Sequence, residues 1–130
     1  MATLLAEAAT AGSLECCGLL LGEAGGPAFR IVRAVPVANV ATEPTHRFEI
    51  DPVVLLQAHK TARTGGAPLI GYYHSHPNGR AEPSPDDQDM ATGDGRIWAI
   101  IACGAGTGSV SFWRDAPLGF ERLPYDVEEG

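Results

Sequence analysis

Leu69-Ile70-Gly71-Tyr72-Tyr73-His74-Ser75-His76-Pro77 is an apolar and aromatic run that ends in two histidines one residue apart, bounded by Pro68 and Pro77. Such a run reads as a buried strand passing into a loop. Alternate side chains on a strand share a face, so the two imidazoles can converge on one ion while Ser75 points away. Beyond the proline-rich stretch Pro77 to Pro83 comes Ser84-Pro85-Asp86-Asp87. Serine at the N-cap, proline at the first helical position and acids in the first turn describe an ordinary helix start. This one can also swing a carboxylate back toward the histidines, and Asp87 is taken over Asp86. The chain holds only four histidines. Two of them at this spacing beside an acid are better explained by a metal site than by half-exposed polar residues.

Outward from this stretch the chain alternates strands and helices without an internal repeat. Ala2 to Ala11 is an alanine-rich helix ending near Gly12, and Glu15 to Gly22 is a strand. Ala24-Gly-Gly-Pro27 is a turn, and Phe29 to Val40 is strand material interrupted at Pro36. Asp51-Pro52 then opens a helix that Gly65-Gly66 stops, with Val53, Val54, Leu56, Ala58 and Ala62 as its inward face. After the Ser84 helix, Ile97 to Ala102 and Ser109 to Trp113 pair across a glycine-rich loop, and Phe120 to Val127 adds an edge strand. That loop joins two strands and carries no Walker lysine, so it is a hairpin tip and not a phosphate cradle.

Composition narrows the class. The 130 residues fit one α/β domain, residues 1–130, with a mixed central sheet flanked by helices. A hydrophobic fraction of 45% with mean hydropathy near zero is globular, and no apolar run approaches the ~20 residues of a bilayer span. Met1 to Leu21 carries Glu7 and no basic residue, unlike an export signal. Cys16, Cys17 and Cys103 are odd in number and lack a C-x-x-C spacing, which reads as free thiols in a cytoplasmic protein. A net charge of -7 and the lack of a visible basic stripe argue against nucleic acid and favour a basic protein tail as partner.

The His74-Ser75-His76, Ser84 and Asp87 spacing, with Glu15 upstream, resembles the JAMM, or MPN-plus, zinc metallopeptidases of the short bacterial type. Glu15-Cys-Cys-Gly18-Leu-Leu-Leu-Gly22 is similar to the family's first motif, and Phe48-Glu-Ile50-Asp-Pro52 to a later one. The resemblance implies the MPN, cytidine-deaminase-like fold. It implies one zinc per chain on His74, His76 and Asp87, Glu15 as general base and Ser84 as oxyanion donor. The residues agree with that much: three ligands leave a fourth position for water, and alternation sets Glu15 on one face with Cys17, Leu19 and Leu21, where a carboxylate needs a partner.

The substrate implied by the resemblance is a ubiquitin-like or sulfur-carrier protein, cut after an extended Gly-Gly tail. Relatives that lack the ligands serve as scaffold subunits, and a zinc hydrolase of small amides is a third possibility. Family members begin with a strand and a longer helix before the glutamate, whereas fourteen residues precede Glu15 here. Either a first strand precedes this start, or the sheet has an exposed edge that a second copy could cover as a homodimer.

Overall fold

The computed structural model describes residues 4–5, 15–25, 28–43, 47–66, 68–104 and 107–125. In chain order its elements are β1 (Cys17–Gly25), β2 (Ala28–Val37), α1 (Pro52–Arg63), β3 (Leu69–His76), α2 (Pro85–Met90), β4 (Ile97–Gly104), β5 (Thr107–Ala116) and β6 (Gly119–Leu123). The strands form one six-stranded sheet in the order β2-β1-β3-β4-β5-β6. It is mixed: β3 and β4 pair in parallel and every other neighbouring pair is antiparallel. A parallel pair cannot be joined by a tight turn, so the β3–β4 connection must leave the sheet and return. The chain uses that excursion to carry α2.

Both faces of the sheet are covered. Leu20, Ile70, Tyr73, Ile97 and Phe112 face one side, where Leu4 packs on them. Leu4 and Leu5 are helical, and the remainder of the helix expected over Ala2–Ala11 lies outside the described residues. Cys17, Leu19, Leu69 and Trp98 face the other side, under Phe48 and Ile50 and with Val54, Leu55 and Ala58 of α1 packed against them. The β1 alternation expected from sequence is therefore present, with Cys16 and Cys17 on opposite faces.

A bulge decides which face receives the histidines. Leu20 pairs with Gly71, but Leu21 pairs with Leu69, so Ile70 is the extra residue on β3. Leu69 and Tyr72 consequently share the α1 side, and Ile70 and Tyr73 the other. Strict alternation from Ile70 would have put the histidines beneath the Leu4 side. Glycine is required just after the bulge: a Cβ on Gly71 would run into the Ile97 carbonyl across the parallel pair.

Several local expectations change. Pro36 does not interrupt β2 but lies within it, opposite Gly18. β2 is an outer strand, where a missing N–H need leave no ladder bond unmade. α1 begins as expected, with the Asp51 carboxylate accepting from the Val53 amide at 2.9 Å and proline at the first position. Its inward face is Val54, Leu55 and Ala58, whereas Val53 is 58% and Leu56 52% exposed. The β4–β5 hairpin is longer than expected, reaching Gly104 and resuming at Thr107, and β6 is shorter, ending at Leu123. Phe48 and Ile50 are buried although their segment belongs to no strand. No helix among the described residues is long and apolar enough to cross a membrane.

Candidate metal centre and active site

His74 and His76 lie at the end of β3 on the α1 side, and both are buried. Asp87 comes from the first turn of α2 and is buried too. Its position is set by a reciprocal cap. The Asp87 amide donates to Ser84 Oγ at 3.1 Å, while the Ser84 amide donates to Asp87 Oδ2 at 2.8 Å. The capping carboxylate thereby turns back toward β3. Its Oδ1 lies 3.0 Å from His74 Nε2 and its Oδ2 2.9 Å from His76 Nε2, and the two Nε2 atoms are 3.0 Å apart. Asp86 points elsewhere, pairing with Arg47 at 3.3 Å.

Neighbouring groups orient the two rings differently. His76 Nδ1 lies 2.8 Å from the Arg80 carbonyl, which can only accept, so Nδ1 carries a proton, and in the neutral ring Nε2 offers a lone pair. His74 is held by packing instead. Phe48 stacks on it with ring centroids 4.3 Å apart and planes 17° apart, and Trp98 meets it edge-on at 5.7 Å. Phe48 also walls a cavity of about 200 Å³, lined further by Ile50, Leu55, Tyr72 and Trp98.

The environment separates the protonation behaviour of the three groups. Burial lowers the pKa of His74 and outweighs the help of Asp87. Burial also pulls His76 down, but the Asp87 hydrogen bond and charge, the Arg80 carbonyl and the Glu15 charge prevail and leave it raised. Burial pushes Asp87 up, yet the hydrogen bonds from both histidines and the Ser84 amide hold its carboxyl well below the usual carboxylate range. The result is a buried carboxylate facing two imidazole nitrogens on one point, with ligand atoms all within 4.8 Å of one another. With both rings neutral and their Nε2 lone pairs turned inward, a cation between the two nitrogens and the anion would satisfy all three. The donor set, two nitrogens and one carboxylate oxygen, fits zinc.

Glu15 lies two residues before β1 and is buried at 5% exposure. β1 pairs Cys17 with His74, and the Ser75 amide donates to the Cys16 carbonyl at 3.0 Å. Continued by one residue, this register sets Glu15 beside His76, in keeping with its charge acting on that ring. Ser84 is half-buried, and its Oγ accepts from Asp87, which leaves its hydroxyl hydrogen free to donate. All five residues singled out from sequence thus lie on or beside one centre.

Two residues escaped sequence reasoning. Ser75, assigned only the role of pointing away, accepts the Cys16 amide on Oγ at 2.8 Å and so fixes the main chain next to Glu15. Asn39 reaches the Glu15 carbonyl across 24 positions, at 2.9 Å. An asparagine after a strand looks like any turn residue, and only the fold shows its partner. Phe48 had a signal: its alternation with Ile50 just before a helix start marks an inward-facing pair.

Residues 1–115 match the family of prokaryotic homologues of the JAB domain. The chain belongs to that family. Among curated relatives it is 35% identical over 88 residues to a desampylase from Haloferax volcanii, covering 68% of this chain and 62% of that protein. It is 42% identical over 57 residues to a probable TtuB-protein conjugate cleaving protease from Thermus thermophilus, covering 44% of this chain and 38% of that one. The chain thus spans less than two thirds of the length of these relatives. A protein from Desulfitobacterium hafniense, solved in solution, superposes over all of this chain and 89% of its own with a TM-score of 0.86 at 29% identity. The mixed α/β sheet with its helices is therefore the fold of this family.

Proposed function

We propose that the protein is a zinc-dependent isopeptidase that hydrolyses the bond after the C-terminal Gly-Gly tail of a ubiquitin-like or sulfur-carrier protein. The observation that carries the reading is the convergence of His74, His76 and Asp87 on one buried point, with Glu15 and Ser84 beside it. Two curated relatives support it, one a desampylase and the other a probable protease that cleaves a protein conjugate.

His74, His76 and Asp87 would hold the ion, with the two Nε2 atoms and the carboxylate as donors. Zinc supplies Lewis acidity there, lowering the pKa of water and polarising the scissile carbonyl. The residues supply the rest. The Glu15 carboxylate takes the proton of the attacking water and delivers it to the departing amine. Ser84 donates its hydroxyl hydrogen to the oxyanion that develops on the carbonyl, while its oxygen stays engaged as the helix cap. A Gly-Gly tail suits this centre because only small residues let an extended main chain reach a buried ion.

The filled ligand set weighs against the scaffold reading, since a structural subunit has no use for a buried carboxylate facing two buried imidazoles. The three free cysteines agree with a cytoplasmic setting. The outer strands β2 and β6 give a homodimer an edge to use. The test is metal-dependent cleavage. Protein stripped by a chelator should lose cleavage of a Gly-Gly-tailed conjugate and recover it with one equivalent of zinc, and His76→Ala should lose both zinc and cleavage. Cleavage that persists in stripped protein would sink the assignment.

A further inference from the structure

Asn39 lies two residues past the end of β2, and one side-chain amide there makes four hydrogen bonds. Its Nδ2 donates to the Glu15 carbonyl at 2.9 Å and to the Arg47 carbonyl at 2.9 Å. Its Oδ1 accepts from the Ala41 amide at 3.1 Å and the Glu49 amide at 3.0 Å. Both hydrogens and both lone pairs are used, so the amide is saturated. Its orientation is fixed by its partners as well. A flipped group would set an oxygen against two carbonyls and an NH₂ against two N–H groups.

The side chain joins two parts of the site that no element connects. On one side is Glu15, which precedes the first paired residue of β1 and so lies outside the sheet's own ladder. On the other are residues 47–49, which carry Phe48 onto His74 and Arg47 onto Asp86. The Val40 amide reinforces this side by donating to the Glu49 carbonyl at 3.0 Å. Ser75 completes the frame from β3, exchanging hydrogen bonds with the Cys16 main chain at 2.8 and 3.0 Å. The Glu15 main chain is thereby gripped from two directions.

We propose that Asn39 is a positioning residue whose amide locks the Glu15 main chain and the Phe48 segment into one frame about the metal ligands. The inference rests on Glu15 acting as the base. Misplacing a reacting group by about 1 Å can cost on the order of a hundredfold in rate. The frame also explains how a segment with no secondary structure keeps a ring flat on His74.

The test uses two variants of the full chain. Asn39→Asp keeps the shape and both acceptor contacts but turns a carboxylate oxygen toward two carbonyls, and Asn39→Ala removes all four bonds. Both should retain one zinc per chain and lose about tenfold to a hundredfold in kcat, with KM for a Gly-Gly-tailed conjugate within about twofold. Independently of any substrate, amide exchange at Cys16 and Ser75 should quicken by about tenfold or more while Ile100 in β4 is unchanged. Exchange at Cys16 equal to that of the unaltered protein, or faster exchange throughout including β4, would overturn the clamp whatever the protein cleaves. Quickened exchange with unaltered kcat would overturn its role in catalysis. Should Asn39→Ala fail to fold, Asn39→Asp decides alone. Failure of the functional reading shows separately, as an unaltered protein that cleaves nothing.

Discussion

Ser84 carries two duties on one oxygen, and they can be separated. Its Oγ accepts the Asp87 amide, so Ser84→Ala removes a helix cap worth about 1 kcal/mol. As oxyanion donor its loss should cost about a hundredfold to a thousandfold in kcat. We expect Ser84→Ala to keep its zinc, unfold at slightly lower denaturant and turn over at that reduced rate. A loss of no more than a few fold would leave it a cap only. His76 offers a test with a definite sign. Its folded pKa is raised from 6.5 by Asp87, the Arg80 carbonyl and Glu15 acting against burial. In metal-free protein its contribution is therefore fully present below 6.5 and lost as pH rises through the raised value. The stability difference between metal-free wild type and His76→Gln should be larger near about pH 5 than near about pH 9, by denaturant titration. A difference that grows with pH would contradict the assigned environment.

At the scale of elements, the β3 bulge and the parallel β3–β4 pair determine where the site lies. Gly71→Val places a side chain against the Ile97 carbonyl at the central pairing, and we expect a loss of about 3 kcal/mol or failure to fold. An unchanged urea midpoint would show that β4 can move away. The α1 helix makes a milder comparison. Leu55→Ala should cost about 1–2 kcal/mol, because Leu55 packs against the Phe48 side, and Leu56→Ala less than about 0.5 kcal/mol, because Leu56 is 52% exposed. The sequence left this helix's inward face only partly legible. Its apolar residues cover more than one stripe, and the bulky neighbours that select Val54, Leu55 and Ala58 come from β1, β3, β4 and residues 48–50. Strand β3 was legible because its apolar and aromatic run is bounded by prolines and its two histidines alternate. The bulge at Ile70 was not, since it arises from pairing with β1.

For the whole molecule, the same division holds. His74, His76, Ser84 and Asp87 fall within fourteen residues, so local spacing reveals them, and Glu15 was found only through a family pattern. Asn39 and Ser75 act through contacts 24 and 59 positions away, which no local reading of an asparagine or a serine supplies. Metal should couple to the stability of the entire fold, since the ligands on β3 and α2 meet only in the folded state. Chelation should lower the thermal midpoint and zinc should restore it, the gain growing with free zinc as expected for a ligand of the native state alone. The central claim is that the histidines and Asp87 hold the ion while Glu15 moves the proton. It is tested most directly by measuring turnover of a Gly-Gly-tailed conjugate by Glu15→Gln at verified zinc content. The account predicts one zinc per chain and loss of turnover; a zinc-loaded Glu15→Gln protein that cleaves as fast as the wild type would contradict it.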